Sequence, residues 1–177
     1  MGSSASRWPN VYGKLKMKFE GIVCAGRGKG AVAISNNSDR IAEILGRTPY
    51  PGTLNVILNR PLSLKGGRPL DAKAKHFGVL GEINGIPCLI ERWKGAPLHV
   101  LEIVSSVFLR ETLGLKDGEF VELSVTEGSF IEPAGWRSWL WSVFYRNRLE
   151  GYYDATVFDG FQRWKSLHKL VCQKRFS

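Results

Sequence analysis

Glycines at alternate positions, Gly26, Gly28 and Gly30, are interleaved with Arg27 and Lys29. Glycine lets the backbone take positive φ and come close to a ligand, so successive N–H groups can line one concavity. Two cations in the same place suit a polyphosphate, which needs many donors and positive charge in a small volume. A glycine turn between two elements is the plainer use of the same residues. The run is not a GxxxxGK[ST] loop, and Ala31 stands where the third glycine of GxGxxG belongs.

A second group follows in Pro49-Tyr50-Pro51-Gly52-Thr53-Leu54-Asn55. The two prolines fix φ and keep Arg47 to Gly52 out of helix, Gly52 permits a sharp reversal, and Thr-Leu-Asn-Val-Ile-Leu then reads as a strand. Alternate strand residues share a face, so the Thr53 hydroxyl and the Asn55 carbonyl oxygen point the same way. Two neutral oxygens form a partial cage for Mg²⁺ that is also held by phosphates and water; the alternative is capping within a turn. A third polar group, Glu102, interrupts the apolar strand Val100-Leu101-Glu102-Ile103-Val104, where a carboxylate is commonly just solvated.

GxGxG, a helix, then LGxxPYPGTLN resembles the archaeal CTP-dependent riboflavin kinases. Leu101-Glu102-Ile103-Val104, Leu109-Arg110-Glu111 and Leu115-Lys116-Asp117-Gly118-Glu119 are similar to that family's closing segment in order and spacing. The resemblance covers Phe19 to Val125, and PYPGTLN is its most specific part. It implies a small six-stranded cradle-loop-type β-barrel with short helices and a kinase that moves the terminal phosphate of CTP to riboflavin, giving FMN. By the same resemblance Gly26, Arg27, Gly28, Lys29 and Gly30 bind nucleotide. Val107, Phe108, Leu109 and Arg110 form a second nucleotide segment that reads the cytosine edge through main-chain groups. Thr53 and Asn55 hold Mg²⁺, and Glu102 orients or deprotonates the acceptor hydroxyl. The chain departs from the pattern between Asn84-Gly85 and Glu102, where the segment is short and Lys94 to Leu98 lacks the threonine expected beside the flavin. Another hydroxyl acceptor, a sugar or polyol, therefore stands as an alternative, and a non-catalytic barrel that binds nucleic acid or a protein as a second.

The elements that must position these groups are mostly short strands. Lys14 to Cys24 reads as a strand and Ala31 to Ser35 as its partner. Asn36 to Asp39 supplies N-cap candidates for a helix with Ile41, Ala42, Ile44 and Leu45 on one face and Gly46 as its stop. Leu58 to Lys75, rich in Pro, Gly, Arg and Lys, reads as a mobile loop, a candidate lid. Strands are expected at Phe77 to Ile83, Pro87 to Trp93, His99 to Ser105 and Glu119 to Val125. Asn84-Gly85 is a hairpin turn and Phe108 to Leu113 a helical turn.

The chain divides into a flexible leader at 1–13, a barrel at 14–126 and a basic aromatic helical extension at 127–177. In the extension Trp136, Trp139, Leu140, Val143 and Phe144 recur at helical spacing, and Phe161, Trp164, Leu167 and Val171 do so again. These helices are expected to bury against the barrel, with a protein partner or an anionic membrane surface as the alternative. A formal charge of +9 over 177 residues favours anionic partners, whether a nucleotide, nucleic acid or a membrane surface, and the resemblance implies CTP. Nucleic acid is not expected, because no RNP-like pattern accompanies the aromatics. Cys24, Cys88 and Cys172 are far apart and His76, His99 and His168 scattered, so neither a disulfide framework nor a metal cluster is indicated. With no signal peptide and no long apolar run, a cytoplasmic location is expected.

Overall fold

The computed structural model describes residues 16–26, 30–126 and 128–144. The expected leader, the loop residues Arg27, Gly28 and Lys29, and the second amphipathic stretch of the extension lie outside the described residues.

Nine strands and four helices are described: β1 (Lys16–Cys24), α1 (Gly30–Asn36), α2 (Ser38–Leu45), β2 (Leu54–Leu58), β3 (Ser63–Leu64), β4 (Arg68–Pro69), β5 (His76–Ile83), β6 (Ile86–Trp93), β7 (Val100–Val104), α3 (Leu109–Thr112), β8 (Phe120–Thr126), β9 (Phe130–Ile131) and α4 (Gly135–Phe144). Strands β5, β6, β7, β2, β1 and β8 follow one another in antiparallel pairing, and β5 pairs back onto β8, closing a six-stranded barrel that leaves no long free edge. Closure brings β5 hard against β8 at Gly81, where an added Cβ would lie 2.6 Å from the Ser124 carbonyl oxygen. Asn84 and Gly85 take φ of 47° and 82°, the left-handed pair a two-residue hairpin between β5 and β6 requires.

Alternation sorts the side chains. Val23, Val56 and Leu101 lie opposite one another on β1, β2 and β7, as do Leu54, Ile103 and Ile90 on β2, β7 and β6, and these fill the barrel interior. The outer face carries two apolar clusters. One joins Ile34, Ile41, Ile44 and Leu45 of α1 and α2 to Leu70, Leu89 and Val104; the other joins Cys24, Ile57 and Val100 to Trp141 of α4, with Trp93 and Leu98 against them.

Four expectations change. Ala31 to Ser35 is helical, within α1, because both edges of β1 are already taken by β2 and β8 and a further strand has nowhere to pair. Asn37 precedes α2, but its amide donates to the Ala33 carbonyl oxygen instead of capping the helix, while Gly46 closes the C-terminus at φ 72° as expected. The segment read as a mobile loop is pinned: Leu62 and Leu70 are fully buried, β3 pairs with β9 and β4 with β5. Buried Arg92 ties the same segment to the start of β7 by donating to the carbonyl oxygens of Leu62 on one side and of Leu98 and Val100 on the other. In α4 the helix forms, but Trp136 and Trp139 are 66% and 63% exposed and Trp141 is the residue that buries. Its indole N–H donates to His99 Nδ1 at 2.8 Å, and one helical face cannot serve both sets of positions.

Candidate active site

Between the two outer clusters one row of the barrel wall is polar. Cys24 of β1 lies opposite Asn55 of β2, Asn55 opposite Glu102 of β7, and Glu102 opposite Glu91 of β6. Residues in register point to the same face, so Asn55, Glu102 and Glu91 form a strip about 4.8 Å apart from strand to strand. The apolar positions two residues along in either direction belong to the flanking clusters. Val104 and Leu89 stand on one side of the strip, and Ile57 and Val100 on the other.

The glycine segment meets this strip at both of its ends. A Cβ on Gly26 would lie 2.1 Å from Asn55 Nδ2, and a Cβ on Gly30 would lie 2.4 Å from Thr53 Oγ1. No real side chain tolerates such distances, so each glycine is a cradle seated against one of the two neutral-oxygen residues. With its Nδ2 turned to Gly26, Asn55 keeps Oδ1 on the far side, 3.7 Å from that Cβ position. Thr53 stands one residue ahead of β2.

Thr53 also lines a cavity of about 60 Å³ together with Tyr50, Ser105, Val107, Phe108 and Arg110. The two prolines hold Tyr50 out of helix, its N–H donates to the Ser105 carbonyl oxygen at 2.8 Å, and its ring stacks on Phe108 with centroids 5.0 Å apart. Arg110 then reaches back from α3, donating to the Cys24 carbonyl oxygen at 2.9 Å and to Asp117 at 2.7 Å. That latch joins the Val107 to Arg110 segment to the stem of the glycine segment. Of the sequence-predicted site residues, Gly26, Gly30, Thr53, Asn55, Glu102, Val107, Phe108, Leu109 and Arg110 are thus brought into one region. Arg27, Gly28 and Lys29 lie outside the described residues.

Burial sets the electrostatics. It pushes the Glu102 carboxyl up to about 7, with the charge of Glu91 adding to the shift and His76 opposing it. Glu91 is itself held above the usual carboxylate range by burial, which outweighs the pull of His76. The Cys24 thiol is pushed up to about 12, first by burial and then by Asp117, so it is inert as a nucleophile. Among the described residues no three His, Cys, Asp or Glu side chains gather to hold a metal by themselves. Thr53 and Asn55 fit a hard cation that brings phosphate and water oxygens with it, because both offer a neutral oxygen and neither makes a closed cage alone.

Glu91 escapes the sequence reading, and His76 and Tyr50 are legible there only as a scattered histidine and a turn residue. His76 Nδ1 and Glu91 Oε1 are 2.5 Å apart, and Glu91 is 3% exposed. The signal for Glu91 was there, a carboxylate in the strand Pro87 to Trp93, but only the register with Glu102 makes it part of a site. Tyr50 was read for its turn and not for its ring.

The family model CTP-dep_RFKase, described as "Domain of unknown function DUF120", matches residues 23–125. The chain is similar to the riboflavin kinase of Archaeoglobus fulgidus, 33% identical over 129 residues that make up 64% of this chain and 55% of that protein. It is similar also to the riboflavin kinase of Thermococcus kodakarensis, 34% identical over 122 residues, or 60% and 58% of the two chains. With that of Sulfurisphaera tokodaii the identity is 33% over 129 residues, 62% of this chain and 95% of the relative. The chain thus spans little more than half the length of the first two of these relatives.

Proposed function

The chain belongs to the CTP-dependent riboflavin kinase family, and from that premise we propose that it transfers the terminal phosphate of CTP to the terminal hydroxyl of riboflavin, giving FMN and CDP. The observation that supports the reading is the double cradle: Gly26 is seated on Asn55 and Gly30 on Thr53, so both ends of the glycine segment abut the two neutral-oxygen residues.

In this reading the backbone N–H groups about Gly26 to Gly30 grip the phosphates, and the Val107 to Arg110 segment with the Tyr50–Phe108 stack holds the nucleotide base. Thr53 and Asn55 would hold Mg²⁺, which when bound offsets charge on the phosphates. Glu102, adjacent to Asn55 across the sheet, accepts the proton as the acceptor oxygen bonds to the terminal phosphorus and the bond to the bridging oxygen of CDP breaks. A carboxylate that titrates about 7 is suited to that task near neutral pH. The part-exposed apolar side chains of Trp93 and Leu98 beside the strip support a planar aromatic acceptor.

The test is turnover. With Mg²⁺ and riboflavin the protein is expected to form FMN from CTP in preference to ATP, GTP or UTP, followed as FMN and nucleoside diphosphate. Gly30→Ala, which drives a methyl group into Thr53, is expected to lower the rate by about 100-fold, as small displacements of reacting groups do. FMN formation with no added nucleoside triphosphate preferred, or wild-type rates in Gly30→Ala, would sink the reading.

A further inference from the structure

The polar strip does not stop at Glu102. One strand farther along lies Glu91, buried and holding His76, and neither residue has a task in the transfer as described above. His76 is fixed from two sides. Its ring nitrogen Nδ1 is bound to Glu91 Oε1, and its backbone N–H donates to Asp71 Oδ2 at 2.8 Å in a turn whose other N–H groups, from Lys73 and Lys75, also donate to that carboxylate. A ring held through Nδ1 has a fixed orientation, which leaves Nε2 as its second hydrogen-bonding atom. The side chain is 35% exposed while the carboxylate that holds it is 4% exposed, so the imidazole is the accessible member of the pair.

An oriented imidazole next to a buried carboxylate is an expensive arrangement for a barrel wall. Two apolar residues would serve stability at least as well, because removing ionisable groups from water costs more than most pairs return. Its place along the strip supplies the reason. Strand spacing sets Glu91 about 5 Å beyond Glu102, a step that a polyol chain of a few carbons starting at Glu102 spans. The same stretch of chain lacks the threonine expected by resemblance beside the acceptor, with Gly95 and Ala96 in that turn.

We propose that His76 is an acceptor-binding residue, its Nε2 hydrogen-bonded to a secondary hydroxyl of a polyol chain whose terminal hydroxyl lies at Glu102, and that Glu91 positions the ring. This rests on the kinase reading and specifies how the acceptor is recognised: by its polyol chain as well as by its ring.

The experiment pairs a protein change with a substrate change. Steady-state kinetics with CTP and Mg²⁺ are measured for riboflavin and for analogues each lacking one secondary ribityl hydroxyl, in wild type and in His76→Ala. One analogue is expected to raise KM about tenfold in wild type, the size of one lost hydrogen bond. His76→Ala is expected to raise KM for riboflavin by a similar factor, with kcat and CTP affinity unchanged and with no further penalty for that analogue. Glu91→Gln, which keeps volume, is expected to reduce the same discrimination partially. If His76→Ala does not fold, His76→Leu, which keeps bulk but has no hydrogen-bonding tip, provides the same comparison. A penalty for every analogue that is identical in wild type and variant overturns the inference while leaving the kinase intact. A wild type that neither binds riboflavin, by quenching of flavin fluorescence, nor phosphorylates it overturns the reading beneath and the inference with it.

Discussion

At the scale of single residues, Glu102 shows how a functional group is made by its surroundings. The same carboxylate on an exposed strand would titrate in the ordinary range; between two apolar clusters and next to Glu91 it is pushed from 4.5 to about 7. Such a group holds its proton more tightly folded than unfolded. Its favourable contribution is therefore complete below 4.5, declines as pH rises toward 7, and above 7 has become the standing cost of a half-buried charge. Glu102→Gln is accordingly expected to raise the melting temperature of the nucleotide- and metal-free protein at pH 8 by several degrees, to leave it nearly unchanged at pH 4.5, and to abolish FMN formation. Thermal unfolding at the two pH values checks this, and a variant less stable than wild type at pH 8 would show that the charge is well accommodated.

At the scale of elements, α4 is attached to the barrel through Trp141, which is 7% exposed and packs with Ile57, Val100 and Cys24. Its indole N–H donates to His99 Nδ1, so the His99 ring must be neutral with its proton on Nε2. Burial, aided by the charge of Arg92, lowers His99 to about 4. The sign is opposite to that of Glu102. The unfolded chain binds the extra proton, so this contribution is complete above about 6.5 and is lost as pH falls through 4. Tryptophan emission is expected to shift to the red between those limits, and the shift to vanish in the difference between wild type and Trp141→Phe if it arises from any other tryptophan. Trp141→Ala is expected to cost about 3 kcal/mol of stability, the usual size for deleting a buried tryptophan.

At the scale of the whole molecule, a formal charge of +9 acts differently on the two substrates proposed above. CTP carries several negative charges and riboflavin none, and screening weakens only the attraction felt by the first. Raising salt from about 50 to 500 mM, which shortens the screening length several-fold, is expected to weaken CTP binding several-fold while riboflavin affinity stays within a factor of two. Titrations of each substrate at the two salt levels check this, and equal sensitivity would mean that the positive charge lies away from the nucleotide.

The chain alone specified the six barrel strands, the Asn84-Gly85 hairpin, the Gly46 stop and the PYPGTLN turn, because alternation, left-handed φ and proline rigidity are local properties written residue by residue. PYPGTLN and the glycine run were also enough to indicate the family. Folding decided what depends on which strand lies beside which. It turned Ala31 to Ser35 into helix by filling both edges of β1. It chose Trp141 over Trp136 and Trp139 as the buried face of α4. It also set Glu91, Glu102 and Asn55 in one row, although they are distant in sequence. Register between strands is fixed by the packing of the whole barrel, which is why the composition of that row could be read only from the closed sheet.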